Sequence, residues 1–192
     1  MIPRRPRGFS LAETLTVCAV LGVAAAVALP SSQPAADARA DAAAGEVARA
    51  LRFAREEAMR TGALVMASCD TAQNTVSVYS PDAGGNVATA INDPLTHMNY
   101  AAAIGQAPAG AGAALRACSF LFADNTQATA VAFDASGNPV RGAAVATGPA
   151  PPKGAAPTTN PTTLLSSGTI QLSLGNLTRT VAVDVNGRVT AS

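Results

Sequence analysis

Glu13 is a carboxylate placed just ahead of an almost uninterrupted apolar run, Leu15 to Leu29, and directly after Gly8-Phe9-Ser10-Leu11-Ala12. A charged side chain inside a bilayer-spanning helix costs roughly 2.5–3.5 kcal/mol on insertion scales, so such a group calls for a function and a partner. The partner that neutralises a carboxylate in hydrocarbon is an amine. Other chemistry is sparse. His97 is the only histidine, and no second metal-ligand cluster accompanies it, so no metal and no cofactor are expected. Ser166-Ser167-Gly168 and Asp82-Ala83-Gly84-Gly85 lack the strand-to-helix setting of a nucleophile elbow or a phosphate loop. No carboxylate pair can be placed together from spacing, which leaves a glycosidase-type site unsupported. A pocket gathering Asp93, His97 and a third polar group is what an enzyme reading would require. The chain is therefore expected not to be an enzyme.

The element that must position Glu13 is a helix. Phe9 to Leu29 is 21 residues, on the order of 31 Å at about 1.5 Å per residue, enough to cross a hydrocarbon core. Arg4, Arg5 and Arg7 precede it with no acidic residue among them, so the positive-inside rule puts the amino terminus in the cytoplasm and residues 31–192 on the far side. An ordinary secretory signal shares the basic n-region, the apolar core and small residues such as Ala24-Ala25-Ala26-Val27-Ala28. Glu13 argues against it, because a removable core has no use for a carboxylate.

Beyond Leu29 the chain has the size of one domain. With 4% aromatic residues, no Trp and 13% charged residues, its core must be built from Val, Leu, Ile, Ala and five Phe. Residues 31–192 carry ten basic against eleven acidic side chains, which is not the balance of a nucleic-acid-binding domain. Of the three cysteines, Cys18 falls in the apolar run, where a thiol behaves as a small apolar side chain. Cys69 and Cys118 fall in the exported part, an oxidising compartment in which two thiols tend to pair. Closing that loop would stabilise the domain by on the order of 4 kcal/mol in the chain-entropy model, provided the Cα atoms lie within about 7 Å.

Pro30 ends the apolar run and is expected to kink a continuing helix. Helix resumes from about Asp37, with Val47, Leu51, Ala54 and Ala58 forming one apolar stripe and Gly62 as the stop. Arg49, Arg52, Arg55, Glu56 and Arg60 read as a solvated face, with Glu56 and Arg60 an i, i+4 pair. After Gly62 the period becomes alternating. Leu64–Ser68, Thr75–Ser80, Cys118–Phe122, Thr129–Asp134, Thr169–Leu174 and Leu177–Val185 read as strands. Ile170, Leu172 and Leu174 share one face, as do Val181, Val183 and Val185; Gly175-Asn176 and Asn186-Gly187 mark turns. Gly105–Ala114 and the five-proline stretch Gly148–Thr163 read as loops, the latter flexible.

The short basic leader, Gly8, Phe9, Glu13 and the apolar helix together resemble the class III signal of type IV prepilins and pseudopilins. Three further stretches are similar to the GspH/FimT group of minor pseudopilins: Phe53 to Gly62 running into a strand and Cys69, Phe133-Asp134-Ala135-Ser136-Gly137, and Val181 to Val189. The resemblance implies an α+β, type IV pilin-like fold, in which a long amino-terminal membrane helix, kinked near Pro30, packs on a mainly antiparallel β-sheet domain. It implies a leader at 1–8, a transmembrane helix at 9–29, an amphipathic periplasmic helix at 30–62 and a β-rich periplasmic domain at 63–192 with a flexible loop at 148–163. A prepilin peptidase would cleave between Gly8 and Phe9 and methylate the Phe9 amine. Glu13 would then meet the Phe9 amine of a neighbouring subunit during assembly.

The expected role is that of a minor pseudopilin in a type II secretion pseudopilus or related type IV pilus-like filament. Its partners would be the peptidase, other major and minor pseudopilins and the bacterial inner membrane, crossed once with the carboxyl-terminal domain in the periplasm. The alternative is a FimT-like minor pilin that binds DNA for uptake through a Gly-Arg-x-Arg motif. The chain has Gly187-Arg188-Val189-Thr190, without the second arginine, which leaves Arg179 and Arg188 as the candidate DNA contacts.

Overall fold

A computed structural model describes residues 10–28, 33–82, 86–106, 110–142 and 163–192. Gly8, Phe9, Pro30 and residues 148–162 of the proline-rich stretch lie outside the described residues. The chain divides into two compact units, Met1–Pro34 and Ala35–Ser192.

The first unit holds helix α1 (Leu11–Ala28). Its 18 residues give a length of about 27 Å. Among the described residues no helix is long and apolar enough to cross a membrane.

In the second unit helix α2 (Gln33–Thr61, its first two residues belonging to the first unit) is followed, among the described residues, by eleven strands. The helix starts four residues before the expected Asp37, because Pro34 occupies its first turn, where a missing N–H costs nothing. It ends where expected: Gly62 takes a φ of +67° and donates its N–H to the Ala58 carbonyl. The stripe Val47, Leu51, Ala54 and Ala58 is fully buried, and Ala43, Ala44, Ala48 and Ala50 widen it.

The strands form two antiparallel sheets. The first runs β3 (Val87–Ala90), β2 (Thr75–Pro81), β1 (Val65–Asp70), β7 (Ala130–Phe133), β8 (Pro139–Val140), with β4 (Ala101–Ala103) also pairing β2. The second runs β11 (Val189–Ala191), β10 (Leu177–Val183), β9 (Leu165–Leu174), β5 (Ala114–Phe122), β6 (Gln127–Ala128). Val65, Ala67, Val76 and Val78 of the first sheet and Leu115, Phe120, Phe122, Ile170, Leu172, Val181 and Val183 of the second enclose the α2 stripe in one core. Met66, Ala130, Ala132 and Val140 cluster separately. Val65 and Ala67 belong to the main core and Met66, between them, to the smaller cluster, as the two-residue period of a strand requires.

Four short strands, β3, β4, β6 and β8, were not evident from alternation, being only two to four residues long. The expected strand Thr129–Asp134 starts instead at Ala130: the chain changes sheets at Thr129, between β6 and β7. Strands β5 and β9 begin earlier than their alternation signalled, at Ala114 and Leu165. Strand β10 ends at Val183, so Val185 is exposed rather than sharing a face with Val181 and Val183. Asp184 is the reason, since its carboxylate accepts the N–H groups of Asn186 and Arg188 and turns the chain. Asp134 does the same for Ser136 and Asn138, making Asp134–Asn138 and Asp184–Arg188 twin turns, each with a glycine at positive φ (Gly137, Gly187).

The expected Glu56–Arg60 pair is replaced by Glu57–Arg60 at 2.5 Å, an i, i+3 contact. Arg52 and Arg55 are not simply solvated either. Each reaches across to a backbone carbonyl, that of Val189 and that of Gly137, both at 3.1 Å.

Two glycines test this packing with opposite signs. Gly168 faces Phe120 across the β5–β9 ladder, and a Cβ there would lie 2.6 Å from the buried ring. Gly168→Ala is expected to destabilise the fold by about 1–3 kcal/mol. Gly45 is an α2 residue, and a methyl group added there would meet nothing within 4 Å. Gly45→Ala is expected to stabilise the fold by about 0.5–1 kcal/mol. Thermal unfolding of both variants beside the parent measures the two effects.

Candidate functional site

Glu13 lies in the first turn of α1, and its backbone N–H donates to the Ser10 carbonyl at 3.0 Å and to Ser10 Oγ at 3.3 Å. Ser10 thus caps the helix. The sequence Ser10-Leu11-Ala12-Glu13 has the S-x-x-E spacing of a capping box, a second role for Glu13 that its setting in an apolar run concealed. Only the serine half of that box is formed. The Glu13 carboxylate is exposed and makes no hydrogen bond or ion pair among the described residues. Gly8 and Phe9, the expected cleavage and methylation positions, are outside those residues.

Cys69, in β1, is buried in the main core and Cys118, in β5, is partly exposed against it. The neighbouring Cys118 thiol, together with burial, pushes the Cys69 thiol well above its ordinary range. Both are free thiols in this structure.

Arg179 and Arg188 are not brought together. Arg188 precedes Val189, which pairs with Val183, so Arg179 lies five residues further along β10, roughly 17 Å away. Arg179 is engaged by Asp41 at 2.5 Å and Asp37 at 3.3 Å on α2. Such solvent-exposed pairs add little to stability, yet they offset the local positive charge.

Asp93 and His97 share one exposed turn. The Asp93 carboxylate caps Leu95 N–H at 2.8 Å, and the His97 N–H donates to the Asp93 carbonyl at 2.8 Å with His97 at a φ of +56°. Asp93 therefore builds the turn that presents His97. Among the described residues no group of three His, Cys, Asp or Glu could hold a metal.

A cleft lies between the carboxyl-terminal half of α2 and the β3–β4 arm. One part, about 540 Å³, is lined by Phe53, Glu57, Arg60, Val65, Ala90 and Ile91 among others. An adjoining part, about 310 Å³, adds Arg49, Arg52, Leu95 and Tyr100 and shares Phe53 and Pro94. Phe53 stacks on Tyr100 with ring centroids 4.7 Å apart, and the Arg49 guanidinium lies 5.8 Å from the Tyr100 ring centre. Glu57 is held below its ordinary carboxylate range by its hydrogen bond from Arg60. Sequence reasoning missed this cleft because Phe53 and Tyr100 are 47 residues apart and nothing local signals that their rings meet.

By sequence the chain matches no family profile and no curated protein. By structure it is similar to the type IV minor pilin FimU of Pseudomonas aeruginosa, at 15% identity and a TM-score of 0.46, over 80% of this chain and 87% of that one. It is likewise similar to the minor pseudopilin EpsH from the type 2 secretion system of Vibrio cholerae, at 14% identity and a TM-score of 0.49, over 80% of this chain and 96% of that one.

Tyr100 yields a pH-dependent expectation. Its hydroxyl is buried with no hydrogen-bond partner among the described residues, and burial pushes the phenol up to about 12. A phenol raised in the folded state favours folding below its unfolded value near 10, and this contribution is lost as pH rises toward 12. Tyr100→Phe should leave stability at pH 7 within about 1 kcal/mol of the parent and flatten the alkaline loss, as chemical denaturation at pH 7, 10 and 11.5 would measure.

Proposed function

We propose that the chain is a minor pilin-like subunit that assembles into a type II secretion pseudopilus or a related type IV pilus-like filament and carries out no catalysis. The single observation behind this reading is the Glu13 carboxylate in the first turn of an apolar helix, five residues after Gly8 and unengaged among the described residues. In the proposed sequence of events a prepilin peptidase cuts between Gly8 and Phe9 and methylates the Phe9 amine. Residues 9–29 stay in the bacterial inner membrane as a single span, with residues 30–192 in the periplasm. On assembly the Glu13 carboxylate pairs with the Phe9 ammonium of a neighbouring major or minor subunit. Away from water that pair is strongly favoured over leaving either charge alone, so it selects the register in which helices join.

The architecture supports this reading from a second side. The resemblance implied one amphipathic helix followed by antiparallel sheets, and the second unit has that order. DNA binding has no comparable support, because Arg179 is held by two aspartates and stands far from Arg188.

The S-x-x-E spacing of Ser10 and Glu13 makes the substitution at Glu13 informative. Glu13→Gln keeps a capping side chain and removes the charge, whereas Glu13→Val removes both. Both variants should be cleaved at Gly8, and both should enter filaments about tenfold less than the parent, or worse, since breaking a desolvated pair costs several kcal/mol. Crosslinking to the major subunit and quantification of sheared filaments read this directly. Incorporation of Glu13→Gln at parental levels would sink the charge-pairing mechanism. Gly8→Arg should leave uncut precursor and Ser10→Ala should not, with amino-terminal sequencing expected to begin at Phe9; a mature start near Ser31 would reject retention of the helix.

A further inference from the structure

The two exported cysteines meet at the seam between the sheets. The first sheet contains Cys69 and the second contains Cys118. The Cys69 N–H donates to the carbonyl of Thr129, the residue at which the chain leaves the second sheet for the first. Cys118 is two residues from Phe120, which pairs with Ala128, the neighbour of Thr129. Topology therefore brings both cysteines to one crossing point, where Cys118 packs against the core cluster that holds Cys69.

We infer that Cys69 and Cys118 are a redox site at which a small-molecule or protein disulfide oxidises the folded domain, locking the two sheets together. Accessibility sets the order of events. Cys118 is partly exposed and Cys69 is buried, so the Cys118 thiolate attacks the external disulfide first. One sulfur of the oxidant bonds to Cys118 and the other leaves as a thiol. Cys69 then attacks the Cys118 sulfur, forming the Cys69–Cys118 bond and releasing the second thiol. The protein loses two protons and two electrons in total, which convert one external disulfide into two thiols, so the exchange balances. Because Cys69 is buried by α2 and both sheets, the bond forms after the core has assembled and acts as a lock on a completed fold.

The experiment uses the full-length chain, purified in detergent with reductant, freed of it, and exposed to oxidised glutathione. After denaturing alkylation, peptide mapping should find Cys18 alkylated and Cys69 joined to Cys118, the link disappearing on reduction. Reduction should lower the melting temperature by about 10 °C. In Cys69→Ser the thiol of Cys118 should hold a stable glutathione adduct, while in folded Cys118→Ser the thiol of Cys69 should acquire none. Alkylation of both Cys69 and Cys118 in the treated parent chain would overturn the site. Faster adduct formation at Cys69 than at Cys118 would overturn the order.

Discussion

Everything in the carboxyl-terminal unit depends on one helix face made of small side chains. Along α2 the buried positions are Ala40, Ala43, Ala44, Val47, Ala48, Ala50, Leu51, Ala54 and Ala58, seven of them alanine. Alanine carries little apolar area of its own, so the stabilisation comes from what it admits: strands can approach the helix closely and set Phe120, Phe122, Phe133, Ile170 and Leu172 in the space it leaves. The approach is close enough at Gly110 that a Cβ there would lie 3.2 Å from the Ala43 methyl. A helix with bulkier residues on this face would hold the sheets apart, and both the strand order and the meeting of Cys69 with Cys118 would be lost.

The same limited core explains why polar side chains organise the loops. Asn74, at a φ of +56°, donates to the carbonyls of Ile104 and Ala113 and accepts the Leu115 N–H at 2.6 Å. One amide side chain thereby ties the β1–β2 turn to the segment entering β5. Arg141, the only charged residue buried among the described residues, joins Asp124 at 2.5 Å and Thr126 at 2.7 Å. Burying a guanidinium is tolerable only when partners surround it in this way. The Asp124 carboxyl is correspondingly held low, first by Thr126 and also by Arg141.

Legibility in the sequence followed the physics of each signal. The α2 stripe and its Gly62 stop were legible because a 3.6-residue period and a left-handed cap are local properties. So were β9, β10 and the Gly175-Asn176 turn, where alternation runs for several residues on both sides of a short loop. Strands β6 and β8 were not, since two residues carry no period. The switch of sheets at Thr129 left no local mark, because it is decided by which distant strand supplies the hydrogen bonds. At the candidate sites the residue types were readable and the distances were not: nothing in the spacing of Cys69 and Cys118 says they meet, and nothing in that of Arg179 and Asp41 says they pair.

Arg52 and Arg55 lie one turn apart on α2, and each holds a carbonyl from a different sheet: Val189 in β11, and Gly137 in the turn joining β7 to β8. The twin turns beside them are stiffened by their own aspartates. A pull along the axis of α2 is thus delivered to two rigid hairpins at once, as a rope made fast to two cleats shares its load. Neither sheet can peel away alone, because sliding the helix strains both anchorages together. That arrangement shares a load on the helix between two anchors instead of resting it on one.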